Sequence, residues 1–330
     1  MTDIIFHIGL PKAGSTSIQR NILQSTYGYM GKFVGCKNNK DYARQFDEIT
    51  PHEDILIWKK RAYALASNLL EFKNKFMSNE KRLIISHEGL SKMSNRYSKF
   101  AKRPIGFNKN IPIHDQRLNI SFYLEIFNNI IWNSGNVKVL LILRNQPEWL
   151  ASLYTQASDR IKKASQKDFE QQINQLIEDK DDYIDWSQWI KNLKNVLGKD
   201  NVCTLLTEDM NKNEFWYKFS KFMDIDINWI NNKKMLDKNK ENVRNECNKM
   251  WKIRPLKARQ INNDASKFDK INKMLFLGKK QTIDEYNTER DKHIILEDDI
   301  EKKIKDYCYV FNSRLEKQLD RNDLKELGYL

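Results

Sequence analysis

The chain has 330 residues and a formal net charge of +13, with 57 lysines and arginines against 44 aspartates and glutamates. This length is sufficient for one large α/β domain with a sizeable core, and no apolar run reaches the roughly 18 residues of a membrane-spanning helix. The positive charge favours anionic partners such as nucleotides or acidic substrates. Lysine and asparagine are abundant throughout the chain, so a compositional bias explains part of that excess.

The first predicted element is an apolar strand that begins at Ile4 and runs into a turn rich in glycine and hydroxyl residues. Gly9 and Gly14 allow the backbone to turn sharply and to approach an anion closely. Lys12 adds a positive charge, and the N–H groups at the start of the following helix would point at the anion. Hydroxyl donors follow at Ser15, Thr16 and Ser17. The sequence therefore predicts a phosphate-binding loop.

The loop differs from the Walker A pattern G-x-x-x-x-G-K-[ST]. Gly9 and Gly14 have the Walker spacing, but Ser15 stands where the lysine belongs, and Lys12 lies inside the loop. In a nucleoside triphosphatase the lysine reaches the β- and γ-phosphates, so Lys12 should serve a smaller group close to the loop. An ordinary strand–turn–helix with a chance lysine is the alternative interpretation.

The next segment, residues 83–90, predicts a buried strand that ends at Glu88 and Gly89. Ligands of open α/β sheets bind at the carboxyl ends of the strands. His87 and Glu88 are neighbours on a strand and therefore point to opposite faces, so one of them would face a ligand. The other interpretations are a salt bridge between Glu88 and Lys12 or a nearby lysine, and a His87 that is bonded to the backbone under the sheet.

A third strand is predicted over residues 139–143, whose five apolar side chains suit burial on both faces of a parallel sheet. The strand ends at Arg144, Pro147 opens a helix, and Ser152 lies one to two turns into that helix. A guanidinium offers a two-pronged grip on a phosphate, whereas a kinase usually places an Asp here to hold magnesium. Alternatively, Arg144 caps the strand and pairs with Glu148.

These segments together resemble the sulfotransferases that use 3′-phosphoadenosine 5′-phosphosulfate (PAPS). Residues 10–17, Leu-Pro-Lys-Ala-Gly-Ser-Thr-Ser, are similar to the family's 5′-phosphosulfate loop Pro-Lys-x-Gly-Thr-Thr, with Ser15 for the first threonine. Arg144 and Ser152 resemble the pair that holds the 3′-phosphate. Residues 202–210 resemble a later strand of the family, with Thr207 in place of a tyrosine, and residues 309–330 follow the C-terminal pattern of bacterial members.

The resemblance implies a fold, a reaction and a set of site residues. The fold is α/β, with a P-loop-type parallel sheet flanked by helices and a helical C-terminal extension. The reaction transfers a sulfuryl group from PAPS to a hydroxyl or amine and leaves 3′-phosphoadenosine 5′-phosphate (PAP), without a metal. Glu88 is the expected base with His87 as the competitor, and Lys12 stabilises the leaving group. The expected nucleotide contacts are Pro11, Lys12, Ala13, Gly14, Ser15, Thr16, Ser17, Arg144, Ser152 and, on weaker sequence similarity, Arg244.

The predicted organisation is a single domain over residues 1–330. Its core covers about 1–230 and 296–330, and residues 231–295 form a helical insertion or an acceptor-side segment. Apolar residues at three- and four-residue spacing predict a final helix over residues 298–319. The acceptor is expected to be a glycan, a lipid-linked sugar or a small metabolite.

Other features bear on location and on rival functions. The start Met-Thr-Asp lacks the features of a signal peptide, and the four cysteines are widely spaced, so we expect a cytoplasmic protein with free thiols. Basic and aromatic residues alternate over residues 97–107 and 249–259, but no nucleic-acid-binding motif is present. A P-loop nucleotide or small-molecule kinase, a non-catalytic nucleotide-binding protein of the same fold and a nucleic-acid binder stay open.

Overall fold

The computed structural model describes residues 3–10, 12–31, 55–76, 82–86, 120–131, 135–161, 163–180, 184–236, 249–256 and 290–330. Its strands are β1 (Asp3–Gly9), β2 (Tyr29–Gly31), β3 (Arg82–Ser86), β4 (Val137–Leu143), β5 (Val202–Leu206), β6 (Met250–Lys252) and β7 (His293–Ile295). Its α-helices are α1 (Ser15–Asn21), α2 (Ile55–Phe76), α3 (Ile120–Ile131), α4 (Gln146–Ala157), α5 (Gln166–Glu178), α6 (Trp186–Leu197), α7 (Asn213–Met223), α8 (Ile227–Leu236) and α9 (Asp298–Leu319).

The first five strands form a parallel sheet in the order β2-β3-β1-β4-β5. Residues 139–143 of β4, which lies between β1 and β5, are fully buried, which is why the sequence has a continuous apolar run there. The predicted parallel sheet flanked by helices is confirmed. Because β3, β1 and β4 are parallel neighbours, their carboxyl ends lie side by side at one edge of the sheet.

Helix α9 begins and ends where the apolar spacing predicted, at Asp298 and Leu319. Its buried face includes Ile300, Ile304, Cys308, Asn312 and Leu315. This spacing of three and four residues places one stripe of an α-helix against the core. Asn312 is the polar exception in this stripe, and its side-chain amide donates to the carbonyl oxygen of Tyr329 near the C-terminus.

A two-stranded antiparallel sheet of β6 and β7 lies in the described part of residues 231–295. The apolar pattern did not predict these strands. The buried Arg290 holds this sheet beside α4, because its guanidinium donates to the carbonyl oxygens of Arg254 (2.9 Å) and Ser158. The N–H of Arg254 in turn donates to Ser158 Oγ at 2.8 Å.

Two cysteines, Cys203 and Cys308, are free thiols, and burial raises the pKa of Cys203 to about 12. Cys36 and Cys247 lie outside the described residues.

Within the described parts of the chain, no helix is long and apolar enough to cross a membrane. The same parts contain no group of three or more His, Cys, Asp or Glu side chains that could hold a metal ion.

Candidate functional site

The β1–α1 loop, residues 10–14, is described at residues 10 and 12–14, and two of these residues have a left-handed backbone. Lys12 has a φ of 70° and Gly14 a φ of 75°, and the N–H of Ala13 donates to the carbonyl oxygen of Leu10 at 3.1 Å. A left-handed residue other than glycine is uncommon, and such residues concentrate at functional sites. The sharp turn predicted from the glycines is therefore present, and Lys12 takes part in it.

Gly9 and Gly14 are needed because other atoms lie against their α-carbons. A Cβ at Gly9 would lie 1.5 Å from Ser15 Oγ, and one at Gly14 would lie 2.6 Å from Met210 Sδ. The Ser15 side chain is buried, and its Oγ has no hydrogen-bond partner among the described residues. A buried hydroxyl without a partner is unfavourable, so the first residue of α1 holds a polar atom that can accept from or donate to a ligand.

The end of β4 and the start of α4 form the β4–α4 turn, residues 144–146. Asn145 caps α4, since its Oδ1 accepts from the N–H of Glu148 at 3.0 Å. Pro147 stands in the first helical turn, as predicted. The indole of Trp186 donates to the carbonyl oxygen of Arg144 at 3.2 Å. The β4–α4 turn is thus held by the side chain of Asn145, which caps α4, and by the backbone carbonyl of Arg144, which accepts from Trp186.

Arg144 joins the two predicted anion-binding segments. Its Nη1 donates to the carbonyl oxygen of Lys12 at 3.0 Å and to Ser152 Oγ at 3.1 Å. Lys12 and Arg144 are 132 residues apart in the chain, whereas Ser152 follows Arg144 by eight. The structure therefore brings together the loop and the pair that the sequence proposed for opposite ends of one ligand.

The same guanidinium also pairs with Glu148, which was the alternative interpretation of Arg144. Its Nη2 and Nε lie 2.8 and 3.3 Å from Glu148 Oε2, and the Arg144 side chain is 11% exposed. The Nε–Nη2 edge is one of the edges with which arginine grips a phosphate. Glu148 therefore occupies a position for which an incoming phosphate would compete.

Ser152 Oγ accepts a second hydrogen bond, from Trp251 Nε1 of β6 at 3.0 Å. A serine hydroxyl has two acceptor lone pairs and one donor. Because Arg144 and Trp251 fill both acceptor positions, the hydroxyl hydrogen of Ser152 is left to donate. Trp251 was not predicted at this site. It lies in the basic and aromatic segment 249–259, 99 residues from Ser152, and no local sequence pattern connects the two residues.

Behind the β4–α4 turn lies a carboxyl group that the sequence reasoning missed. Glu208 Oε1 accepts from the backbone N–H and from Nδ2 of Asn145, at 2.8 and 3.1 Å, and Glu208 Oε2 accepts from the Tyr329 hydroxyl at 3.2 Å. Burial raises the pKa of Glu208 to about 7. The adjacent Thr207, which replaces the family's tyrosine, donates to the carbonyl oxygen of Leu143 at 2.8 Å.

The end of β3 is fixed by a buried polar cluster. Ser86 Oγ accepts from Gln19 Nε2 at 2.8 Å and shares a hydrogen bond with His7 Nδ1 at 2.7 Å, which ties β3 to β1 and α1. His87 and Glu88 follow Ser86 directly and lie outside the described residues, as do Pro11 and Arg244. Thr16 and Ser17 are exposed in the first turn of α1, and Ala13 is buried.

No model of a protein family matches the chain, and none of the curated proteins is similar to it. Among solved structures, the chain is similar to one titled "Crystal Structure of Sulfotransferase from Alicyclobacillus acidocaldarius", with 11% sequence identity, 96% of each chain covered and a TM-score of 0.45.

Proposed function

We propose that the chain is a sulfotransferase that moves a sulfuryl group from PAPS to a hydroxyl or amine of an acceptor and leaves PAP. The observation that carries this proposal is the position of Arg144, whose guanidinium contacts both the β1–α1 loop at Lys12 and Ser152 of α4. PAPS carries phosphate groups at both ends of one adenosine. Two adjacent anion-binding segments, joined by one arginine, suit such a ligand.

The residues around the β1–α1 loop fit the 5′-phosphosulfate. The buried Ser15 Oγ lacks a partner among the described residues, and the first N–H groups of a helix have no intrahelical partner. These groups, with the hydroxyls of Thr16 and Ser17, would hold the 5′ end. Gly9 and Gly14 leave no room for a side chain against the loop, which favours a close approach of the backbone to the ligand.

The 3′-phosphate would be held by Arg144 and Ser152. The guanidinium provides charge-assisted hydrogen bonds, and Ser152 has its hydroxyl hydrogen left to donate because Arg144 and Trp251 already donate to its oxygen. Glu148 would exchange at least part of its contact with Arg144 for the phosphate. Both kinds of group select for an anion at this position.

In the proposed reaction, PAPS supplies the sulfuryl group and PAP leaves. Lys12 stabilises the negative charge that develops on the leaving group, an electrostatic effect of the kind that dominates many enzymatic rate enhancements. Glu88 accepts the proton of the attacking hydroxyl or amine, with His87 as the competing base. No residue in this scheme requires a metal. The acceptor is a glycan, a lipid-linked sugar or a small metabolite.

The binding test compares PAP with adenosine 5′-monophosphate (AMP), which lacks the 3′-phosphate, by titration calorimetry. Arg144→Ala should weaken PAP binding by about a hundredfold and leave AMP binding nearly unchanged. The matched control is Arg61→Ala, which removes an exposed arginine from α2 and should change neither affinity. Equal weakening of both nucleotides by Arg144→Ala contradicts the proposed 3′ contact, and a wild-type protein without affinity for PAP contradicts the function.

The activity test follows labelled sulfate from PAPS to polysaccharide, lipid and small-molecule fractions. We expect transfer without added metal, loss of transfer in Glu88→Gln and retained transfer in His87→Ala. A dead His87→Ala beside an active Glu88→Gln would exchange the roles of the two residues. A requirement for ATP and magnesium would favour a kinase instead, and PAP binding without transfer to any fraction would favour a non-catalytic binder.

A further inference from the structure

Each of the three residues of the β4–α4 turn is held by a different part of the chain. Trp186 Nε1 donates to the carbonyl oxygen of Arg144, and Asn145 donates twice to Glu208 Oε1. The side-chain amide of Gln146 pairs with that of Asn312 in both directions, at 2.8 and 3.1 Å. Arg144 therefore extends from a backbone whose position is set by side chains from distant elements.

The last residues of the chain close this network. Tyr329 is fully buried, and its hydroxyl donates to Glu208 Oε2 at 3.2 Å. Its carbonyl oxygen accepts from Asn312 Nδ2 at 2.7 Å, and the carbonyl oxygen of Leu327 accepts from Asn145 Nδ2 at 3.3 Å. The C-terminal segment, residues 327–330, thus contacts the β4–α4 turn both directly and through Glu208 and Asn312.

We infer that Tyr329 is a positioning residue of the 3′-phosphate site and acts through Glu208 on the β4–α4 turn that carries Arg144. This inference rests on the proposed function. The hydroxyl of Tyr329 fixes one oxygen of Glu208, so that the other oxygen faces both donors of Asn145. Asn145 in turn caps α4, the helix that carries Glu148 and Ser152. A shift of this turn would displace Arg144 relative to Ser152, and the 3′-phosphate needs both.

Apolar packing alone does not account for this arrangement. A phenylalanine at 329 would fill the same buried space and keep the carbonyl contact with Asn312, but it would leave Glu208 Oε2 without its hydroxyl donor. The specific contribution of the Tyr329 hydroxyl is therefore to the orientation of Glu208. The experiment has to separate that contribution from general stability.

The first measurement is the affinity of Tyr329→Phe for PAP and for AMP. Loss of one positioning hydrogen bond should raise the Kd for PAP by about fivefold and leave the Kd for AMP unchanged. The matched control is Tyr309→Phe, which removes a hydroxyl from an exposed tyrosine of α9 and should change neither. An unchanged PAP affinity in a folded Tyr329→Phe protein, or an equal loss for both nucleotides, overturns the inference.

A double-mutant cycle tests whether Tyr329 acts through Glu208. Glu208→Ala removes the acceptor of both Asn145 donors and should raise the Kd for PAP more than Tyr329→Phe does. Adding Tyr329→Phe to Glu208→Ala should then cause no further rise, because residues that act through one another are not additive. Additive effects of the two substitutions would show that Tyr329 acts by another route and would overturn the inference.

Amide hydrogen exchange in the nucleotide-free protein separates this inference from the proposed function. Tyr329→Phe should speed exchange of the Asn145 and Glu148 amides by about tenfold and leave the amides of β1 and β4 unchanged. If wild-type protein does not bind PAP, the proposed function is wrong, and the exchange result alone decides whether Tyr329 positions the turn. Unchanged exchange at Asn145 overturns the positioning role in either case.

Discussion

The Glu208 carboxyl should make the protein less stable as the pH rises towards neutrality. Burial raises the pKa of this group from its ordinary value of 4.5 to about 7. Between these two values the folded protein keeps a proton on Glu208 that the unfolded chain has released. Because the folded state binds more protons in this range, the free energy of unfolding falls as the pH increases.

The magnitude follows from the gap between the two pKa values. Each pH unit of difference corresponds to about 1.36 kcal/mol, so the gap from 4.5 to about 7 corresponds to at most about 3 kcal/mol. Glu208→Gln keeps the shape of the side chain and an acceptor oxygen for Asn145 but cannot ionise. Its free energy of unfolding should therefore lack this decrease.

Urea unfolding at pH 4.5 and pH 8 measures the effect. Relative to the Gln variant, the wild-type protein should lose up to about 3 kcal/mol between these conditions. Glu178→Gln, at an exposed position at the end of α5, is the matched control and should keep the wild-type pH dependence. If wild-type protein and Glu208→Gln show the same pH dependence, Glu208 does not retain a proton in the folded state and the reasoning fails.

Three further substitutions test the site itself. Lys12→Ala should lower sulfuryl transfer by about a hundredfold while PAP still binds, because one stabilising group at a developing charge is worth about 3 kcal/mol; unchanged turnover would remove Lys12 from the mechanism. Glu148→Gln should tighten calorimetric PAP binding by about tenfold without affecting AMP, because a carboxylate no longer competes for Arg144; weaker binding would mean that Glu148 orients the guanidinium instead. Gly9→Ala should lower both the Tm and the PAP affinity, since the new Cβ would lie 1.5 Å from Ser15 Oγ; an unchanged Tm would contradict this crowding.

Local sequence pattern was sufficient to predict several elements of the fold. The apolar run of β4, the turn at Gly14 and the stripe of α9 each follow from the period or composition of a few neighbouring residues. Burial on both faces requires an uninterrupted apolar strand, and burial on one side of a helix requires three- and four-residue spacing. The closeness of Arg144 and Ser152 was also predictable, because a strand end and the next helical turns place them side by side.

The sequence by itself thus determined the fold class, the loop and the Arg144–Ser152 pair. Only the tertiary structure decided the partners that lie far apart in the chain: Arg144 with Lys12, Trp251 with Ser152, and Glu208 with Asn145. It also decided that Arg144 pairs with Glu148 and contacts Ser152 at once, since a guanidinium has several donors and the sequence offered these partners as alternatives. The physical reason is that a hydrogen bond between distant residues depends on how whole strands and helices pack, and no local period of the sequence records which side chains then meet.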